Sequence, residues 1–205
     1  YENIITRYNT DLANTHGNLV NGTIAMVKKY FDGKIPARAE LDETDSSLMA
    51  FAENTVISYK EKMDEFRLAD ACDLIMGLAK RSNKYIDETT PWTLAKEEAK
   101  KPRLGTVLYN LLESIRFIAV MIKPIMPKTS DSIFAQINSS DNTWESLAVF
   151  GLTKSGDSVG EAAPLFSRID ENKMLAEIEA SSKTEEKTED ENLASIDDFA
   201  KLDIR

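Results

Sequence analysis

The residues whose types and spacing could do chemistry lie together between Asn83 and Trp92, in the stretch Asn-Lys-Tyr-Ile-Asp-Glu-Thr-Thr-Pro-Trp. Asn83 and Asp87 are one helical turn apart, so on a helix they share one face. Pro91 lacks an N–H and disfavours a helical Thr90, so the helix is predicted to end at this corner. Thr90 is predicted to cap a new helix that has Pro91 at its first position. An amide, a carboxylate and an indole would then gather at one helix end.

This group of side chains has two interpretations. In the first, the ring of Trp92 stacks on a planar ligand such as an unstacked base, while the amide and the carboxylate hydrogen-bond to its edge. In the second, Trp92 is buried and pins the corner, and Asp87 only serves the helix end. The residues alone leave both interpretations open.

A second polar group lies in the middle of the first predicted helix. It is a stripe of amides at steps of four and three residues, made of Asn14, Asn18 and Asn21. Gly17 and Gly22 lie in the same stretch, and a glycine in a helix interior costs about 1 kcal/mol relative to alanine. The glycines indicate a kink or the close approach of another backbone or a ligand. The amides are either a buried polar network or a row of contacts to a base or backbone.

Helices must position both groups, because apolar residues recur at three- and four-residue steps and no strand order is convincing. We therefore predict an all-α helical bundle. The predicted helices cover residues 2–31, 46–65, 66–88, 92–100, 103–122, 127–137 and 170–181. Phe31 to Pro36 is predicted to be the turn that ends the first helix. Residues 141–170 are predicted to be irregular, with Trp144 and Phe150 as anchors.

Composition divides the chain into three parts. We assign residues 1–181 to the bundle with its C-terminal helix and residues 182–195 to an acidic flexible linker, because that segment is charged and nearly free of large apolar groups. Residues 196–205 regain apolar character and are predicted to begin a further, truncated domain. The chain starts at Tyr1 and ends abruptly, so we expect a fragment of a longer protein.

Charge and composition exclude several classes of function. The 25 basic and 35 acidic residues give a net charge of −10, which argues against a broad nucleic-acid coat but not against a small local site. Cys72 is the only cysteine, so the chain has no intrachain disulfide, and a buried thiol is expected. We see no signal peptide, and no apolar run approaches the length that spans a bilayer, so no membrane association is expected.

Catalytic groups are not indicated. His16, the only histidine, has no Ser or Cys partner nominated by its context, and we expect it on a polar helix face. The chain has no glycine-rich loop with a following Lys and Ser or Thr, so no phosphate cradle is predicted. We therefore assign neither catalytic residues nor a metal site to this chain.

Several stretches, in order along the chain, carry a resemblance to a known family. They are residues 11–21 (Asp-Leu-Ala-Asn-Thr-His-Gly-Asn-Leu-Val-Asn), 29–33 (Lys-Tyr-Phe-Asp-Gly), 83–96 (from Asn-Lys-Tyr-Ile-Asp to Leu-Ala-Lys) and 123–127 (Lys-Pro-Ile-Met-Pro). Together they closely resemble the anticodon-binding domain of bacterial methionyl-tRNA synthetase, over about residues 1–180. Residues 196–205 resemble the entry to the tRNA-binding oligonucleotide-fold domain that some of these enzymes carry and use to dimerise.

The resemblance implies a bundle of the class I aminoacyl-tRNA synthetase anticodon-binding type, which reads the CAU anticodon of methionine tRNA. The implied enzyme is a cytoplasmic ligase of protein biosynthesis that joins methionine to its tRNA using ATP. ATP and zinc are expected only in a catalytic part preceding Tyr1, so no cofactor is expected in this chain. Implied partners are methionine tRNA, that catalytic part and a second copy through the C-terminal domain. The alternative is a helical domain that only docks against another domain or protein.

The resemblance also implies site residues. Asn18 matches a family anticodon contact on the first helix, and Asn83, Asp87 and Trp92 match contacts around the corner. In the family, the tryptophan stacks on the first anticodon base, a cytosine. Further RNA contacts are expected from Asn14, Asn21, Lys29 and Lys84.

Gly22 departs from the family pattern, which usually places an arginine one turn after the asparagine that matches Asn18. That arginine helps to hold the first base, and Gly22 has no side chain with which to do so. Lys28, Lys29 and Lys84 are candidate replacements, although a lysine does not reproduce the planar fork of arginine. We therefore expect base discrimination to differ from the family scheme.

Overall fold

Helices form where the apolar spacing predicts them. The computed structural model describes residues 2–178. Its α-helices are α1 (Glu2–Arg7), α2 (Asn18–Phe31), α3 (Glu43–Asp64), α4 (Leu68–Thr89), α5 (Pro91–Leu94), α6 (Lys101–Ile122) and α7 (Pro127–Ile137), with residues 171–178 also helical. Tyr8–Gly17 is a π-helical stretch, and Glu98–Lys100 and Trp144–Ala148 are 3₁₀ turns. Among residues 2–178 no β-strand forms, and a single antiparallel bridge joins Lys34 to Ser158. The prediction of an all-α bundle is confirmed.

The first predicted helix differs most from expectation. Residues 2–31 are helical, but the polar middle at Tyr8–Gly17 is π-helical and not α-helical. Thr15 shows the change of register, because its Oγ1 donates to the carbonyl of Thr10, five residues earlier, at 3.0 Å. α2 ends as predicted, since Asp32 adopts the left-handed conformation and Gly33 follows at φ +75°. The predicted helix 92–100 is instead α5 followed by a 3₁₀ turn.

The core of the bundle is built around α6. Every residue from Leu104 to Ile122 is buried, so the helix is covered on all sides by its neighbours. The segment Glu98–Ile122 is 25 residues long and apolar enough, by length and composition, to cross a membrane, but its apolar window is entirely buried inside the bundle. The expectation that no apolar run approaches spanning length is therefore wrong. Burial on every face accounts for the composition of this helix.

A buried ion pair on α6 organises the irregular segment after α7. Arg116 donates to Glu113 at 2.8 Å, and both side chains are fully buried. Glu113 also accepts from the backbone N–H groups of Gly151 at 2.5 Å and Thr153 at 2.9 Å. Burial alone would raise the pKa of the Glu113 carboxyl, but the bonds from Arg116, Thr153 and Gly151 hold it below its ordinary value. Phe150 is buried beside this pair, as predicted.

The chain divides into two compact units. Thr10–Ser167 forms the larger unit, and the smaller one contains residues 2–9 and 168–178 of the described chain. In the smaller unit, the Asn9 amide exchanges two hydrogen bonds with the backbone of Ile169, at 2.8 and 2.9 Å. Asp170 accepts from the N–H of Lys173 at 3.1 Å and so caps the helix at 171–178. The predicted linker 182–195 and the predicted start of a further domain at 196–205 lie outside the described residues.

Candidate functional site

The corner predicted at Pro91 is formed by a left-handed residue. α4 ends at Thr89, and Thr90 follows at φ +42° and ψ +62°, with its N–H donating to the carbonyl of Ile86 at 2.9 Å. Pro91 is the first residue of α5, as predicted. Thr90 occupies the N-cap position of α5, as predicted, but its side chain makes no capping bond. A side-chain cap needs an extended backbone at that residue, whereas Thr90 closes α4 through its own N–H.

The corner carries backbone strain. Thr90 is the only β-branched residue with positive φ among residues 2–178. A non-glycine residue in this conformation costs about 1–2 kcal/mol. The cost is met by the packing that follows, since Pro91 is buried and Leu94 and Ala95 pack against the core. Strained residues of this kind cluster at binding sites.

Trp92 follows the strained residue and faces outward. The residue is 48% exposed, although it is one of the two largest side chains in the chain by type. The interpretation in which a buried tryptophan pins the corner is therefore wrong, and Pro91 and Leu94 hold α5 in place instead. The indole offers an accessible aromatic surface at the end of α4.

Asn83 brings the two polar groups of the sequence together. Its Nδ2 donates to the carbonyl of Thr15, in the π-helical stretch, at 3.1 Å. One turn earlier, Lys80 lies 3.8 Å from the carboxylate of Asp11. Both contacts follow the same order along the two segments, so this part of α4 lies beside the π-helical stretch with its chain direction parallel to it. Asn18 is the first residue of α2 after this stretch, and Asp87 lies one turn after Asn83 on α4.

The amide stripe is not a buried network as a whole. Asn18 and Asn21 are exposed and Asn14 is half-buried. Asp87 is exposed as well. Asn18, Asn21 and Asp87 are therefore accessible to a ligand, whereas Asn14 and Asn83 are half-buried.

His16 lies behind these groups and not on a polar face, so that expectation is wrong. The imidazole is fully buried, with neither ring nitrogen hydrogen-bonded, and its ring centroid lies 5.9 Å from that of Phe166. Burial lowers the pKa of His16 to about 4. The imidazole is therefore neutral near pH 7 and behaves there as a core group of the π-helical stretch.

The lysines near the site are engaged at the surface. Lys84 lies 3.6 Å from Glu88, which also accepts from Arg81 at 3.1 Å. The ammonium of Lys29 lies 5.2 Å from the ring centroid of Tyr30, and Lys28 pairs with Glu161 at 3.2 Å. Exposed pairs of this kind are worth less than about 1 kcal/mol, so they hold these cations only weakly.

Gly22 is open. A Cβ atom built on Gly22 would meet no atom within 4 Å, so no neighbouring backbone requires a glycine there. Gly17 differs, because its Cβ would lie 3.4 Å from the carbonyl of Leu12 and 3.7 Å from the ring of Phe166. Both distances at Gly17 are ordinary van der Waals contacts and Leu12 belongs to the same π-helical stretch, so neither glycine is required by the close approach of another backbone.

A family comparison decides what this arrangement belongs to. The family model described as the anticodon binding domain of methionyl tRNA ligase matches residues 35–184. The chain belongs to this family. The matched range of this anticodon-binding domain contains the corner with Asn83, Asp87 and Trp92, while Asn18 and Gly22 precede it.

Relatives and solved structures agree with this assignment. The chain is 46% identical over 211 residues to the methionine–tRNA ligase of Caldanaerobacter subterraneus subsp. tengcongensis, and 47% identical over 212 residues to that of Clostridium perfringens. Each match covers 100% of this chain and 33% of the relative, so the chain spans about a third of the length of these ligases. The apo Mycobacterium tuberculosis methionyl-tRNA synthetase superposes with a TM-score of 0.75 at 32% identity, covering 82% of this chain and 34% of that one.

One group that positions the corner of this anticodon-binding domain escaped the sequence analysis. Asp45 is fully buried and accepts from Tyr85 on α4, from Arg103 at 2.5 Å and from Asn110 at 3.1 Å. It also closes a capping box with Asp42 at the start of α3. The only local signal is this Asp-x-x-Asp pair, which can be read as an N-terminal box. The partners lie 40 to 65 residues away along the chain, so no spacing rule finds them.

The Asp45 cluster fixes the half of α4 that carries the site. Burial would raise the pKa of the Asp45 carboxyl, but the hydrogen bonds from Arg103, Tyr85 and the Asp42 backbone together hold it below its ordinary value. Burial and the Asp45 carboxylate raise the pKa of Tyr85, so its hydroxyl stays a donor. Since Tyr85 lies between Asn83 and Asp87 on α4, this bond sets the rotation of that helix turn against α3 and α6.

Proposed function

We propose that this chain is the anticodon-recognition module of a methionine–tRNA ligase and that it reads the CAU anticodon of methionine tRNA. The observation that carries the proposal is the exposed indole of Trp92 at a strained corner, together with the exposed Asp87 on α4 and the exposed Asn18 on α2. An aromatic plane beside hydrogen-bonding groups suits a single-stranded base that has left its stack. We assign the anticodon contacts to Asn18, Asn83, Asp87 and Trp92.

Recognition proceeds in two parts. Stacking of the first anticodon base on Trp92 contributes about 1–3 kcal/mol and tolerates any base. Discrimination comes from the amides and from Asp87, whose carboxylate accepts hydrogen bonds and so favours a base that offers an exocyclic amine. Further contacts to the loop come from Asn14, Asn21, Lys29 and Lys84. The lysines leave their weak surface partners for phosphates.

The contribution of this module to the ligase reaction is positioning. Holding the anticodon fixes the orientation of the rigid tRNA, so its acceptor end is delivered to a distant reaction centre. We assign methionine, ATP and zinc to the part of the ligase outside this chain, with the chemistry there. Dimerisation through a C-terminal domain beginning near residue 196, a cytoplasmic location and the absence of a membrane role belong to the same proposal.

A second candidate function is docking of the bundle against another domain or protein. It is favoured by apolar side chains that are exposed away from the corner: Ile57 is 60%, Phe66 95% and Leu68 50% exposed. Ile57 also lines a groove of about 620 Å³ between α3 and the turn at Trp144–Ala148. A bundle used only for docking would bind RNA loops without regard to their anticodon.

The test is binding of the chain to a CAU stem-loop and to one with a changed first base. Trp92→Ala should weaken CAU binding about tenfold or more, as expected from the loss of one stacked base. Trp144→Ala is the matched control, because Trp144 is the other tryptophan, is 37% exposed and packs on Tyr59 at 5.9 Å on another face. Circular dichroism should be unchanged in both variants. Equal affinity of the wild-type chain for both loops would favour docking over recognition.

A further inference from the structure

The orientation of the Asn83 amide is fixed by its partner. A backbone carbonyl can only accept, so the group that meets Thr15 at 3.1 Å must be the NH₂ end of the Asn83 side chain. The amide is planar, and its Oδ1 therefore points away from the π-helical stretch. The Asn83 side chain is half-buried, and its Oδ1 is not one of the buried side-chain atoms that lack a hydrogen-bond partner.

The position of the Thr15 carbonyl depends on the π-helical register. Elsewhere in the bundle, helix hydroxyls donate to the carbonyl four residues earlier, as in Thr55 to Phe51 and Thr89 to Tyr85, both at 2.7 Å. Thr15 instead reaches back five residues, to Thr10. The wider turn changes the direction of the carbonyl groups relative to a regular α-helix, and one of them meets Asn83. π-helical insertions of this kind are rare and often mark functional sites.

We propose that the Thr15 carbonyl sets Asn83 as a hydrogen-bond acceptor toward RNA, and that Asn83 thereby selects an anticodon base with an exocyclic amine. This inference rests on the proposed function and names the chemical group that one residue of the site reads. Cytosine offers its N4 amine and adenine its N6 amine, whereas uracil and guanine present a carbonyl oxygen at the same edge. A free asparagine could turn its amide over and accept either pair. Asn83 cannot turn without leaving the Thr15 carbonyl without its donor.

The experiment removes single amines from the RNA. Three stem-loops are compared: CAU, a loop whose first base is 2-pyrimidinone (cytosine without its amine) and a loop whose second base is purine (adenine without its amine). Their affinities for the 205-residue chain are measured by fluorescence anisotropy. One of the two substitutions should weaken binding to the wild-type chain about three- to tenfold, as for one neutral hydrogen bond.

The same loops are then tested against variants of Asn83. Asn83→Ala should lose the preference for that amine, so CAU and the substituted loop bind with equal affinity. Asn83→Asp keeps acceptors but cannot donate to Thr15, so it should keep the preference while its melting temperature falls. Asn54→Ala, an exposed asparagine on α3, is the control and should behave as wild type. If Asn83→Ala does not fold, the Asn83→Asp variant decides, because the carboxylate keeps the acceptor and loss of the amine preference there would overturn the inference.

The remaining outcomes separate this inference from the proposed function. If both amine deletions weaken binding equally in the wild-type chain and in Asn83→Ala, the amines are read elsewhere and the role of Asn83 is wrong. If neither deletion matters while CAU still binds better than a scrambled loop, anticodon recognition stands and the inference fails. If the wild-type chain does not distinguish CAU from a scrambled loop, the proposed function itself fails, and this inference with it.

Discussion

Replacing Gly22 by arginine tests whether residue 22 of α2 lies beside the bound anticodon loop. Gly22 lies in the interior of α2, four residues after Asn18, and a Cβ atom there would meet no atom within 4 Å. A side chain can therefore be added without moving any neighbour. Gly22 lies one helical turn after Asn18 on α2, so we expect a side chain at residue 22 to reach the same part of a bound anticodon loop as Asn18.

The first expected effect of Gly22→Arg is on stability. Alanine and arginine both favour a helix interior over glycine by about 0.8–1 kcal/mol. For a chain of this size, such a gain corresponds to a rise in melting temperature of about 2–4 °C. Gly77 in α4 is equally open, so Gly77→Ala should give the same rise as Gly22→Ala.

The second expected effect is on RNA affinity. A guanidinium presents five donors in a planar fork, and a hydrogen bond that involves a charged group contributes about 1.5–3 kcal/mol. Ordering the long side chain costs about 1.5–2 kcal/mol, so one bond contributes a net of about −0.5 to +1.5 kcal/mol, and a bidentate pair contributes more. We expect Gly22→Arg to bind a CAU stem-loop about three- to thirtyfold more tightly than wild type. If the new contact is to a phosphate, the salt dependence of log K steepens by about 0.7.

The assay is anisotropy with a labelled CAU stem-loop at several salt concentrations. Gly22→Ala separates helix stabilisation from the new contact and should leave the affinity unchanged. Gly77→Arg adds the same charge on α4, on a face that lines a groove with Phe51 on α3, and separates a local contact from a general change in net charge. Residue 22 does not lie beside the bound RNA if Gly22→Arg binds no more tightly than Gly22→Ala, or if Gly77→Arg gives the same gain.

Three further predictions concern the scaffold. The free energy of unfolding should fall by about 3 kcal/mol between pH 6.5 and 4, because the pKa of His16 is 6.5 in the unfolded chain and about 4 when buried. The loss is absent above pH 6.5. Urea unfolding should not show it in His16→Leu. Asp45→Asn should destabilise the bundle by about 3 kcal/mol, because it leaves the partly buried Arg103 without its buried charged partner. In the same unfolding assay, Asp42→Asn at the exposed Asp42 should cost less than about 1 kcal/mol. Phe66→Asn should stabilise by about 1 kcal/mol in thermal melts, because Phe66 is 95% exposed at φ +57° and asparagine tolerates that conformation; a lower melting temperature would mean that the phenyl ring has a partner.

The helices and the corner could be predicted because their signals are local. Apolar residues of α3, α4, α6 and α7 follow the helical period, and the observed ends lie within three residues of the predicted ones. Pro91 marks the corner by a property of its own backbone, whatever surrounds it. The exposure of Trp92 was not predictable, because the same ring could have closed the corner from inside. The outcome depends on Pro91 and Leu94 filling that space instead.

The π-helical stretch could not be predicted for the opposite reason. An extra residue per turn is unfavourable locally, and it forms here because tertiary contacts hold it: Phe166 packs on His16, and Asn83 bonds to Thr15. Phe166 and Asn83 lie far away along the chain, and no pattern within residues 8–17 predicts these contacts. The polar composition and Gly17 indicated only that something approaches this segment closely. The direction of the Asn83 amide, on which base selection depends, follows from that register and therefore from contacts that no local pattern contains.

The same division holds for the site as a whole. Residues that would touch a ligand, such as Trp92 and Asp87, are exposed and few, so their types can be recognised in the sequence. Their relative placement depends on the buried Asp45, which connects α3 to Tyr85 on α4 and to Arg103 on α6 through hydrogen bonds. If the cluster were lost, this turn of α4 could rotate. Asn83 and Asp87 would still be present, but their side chains would point in the wrong direction. The precision of the site is therefore a property of the buried charge cluster, and binding should be sensitive to Asp45 although it touches no ligand.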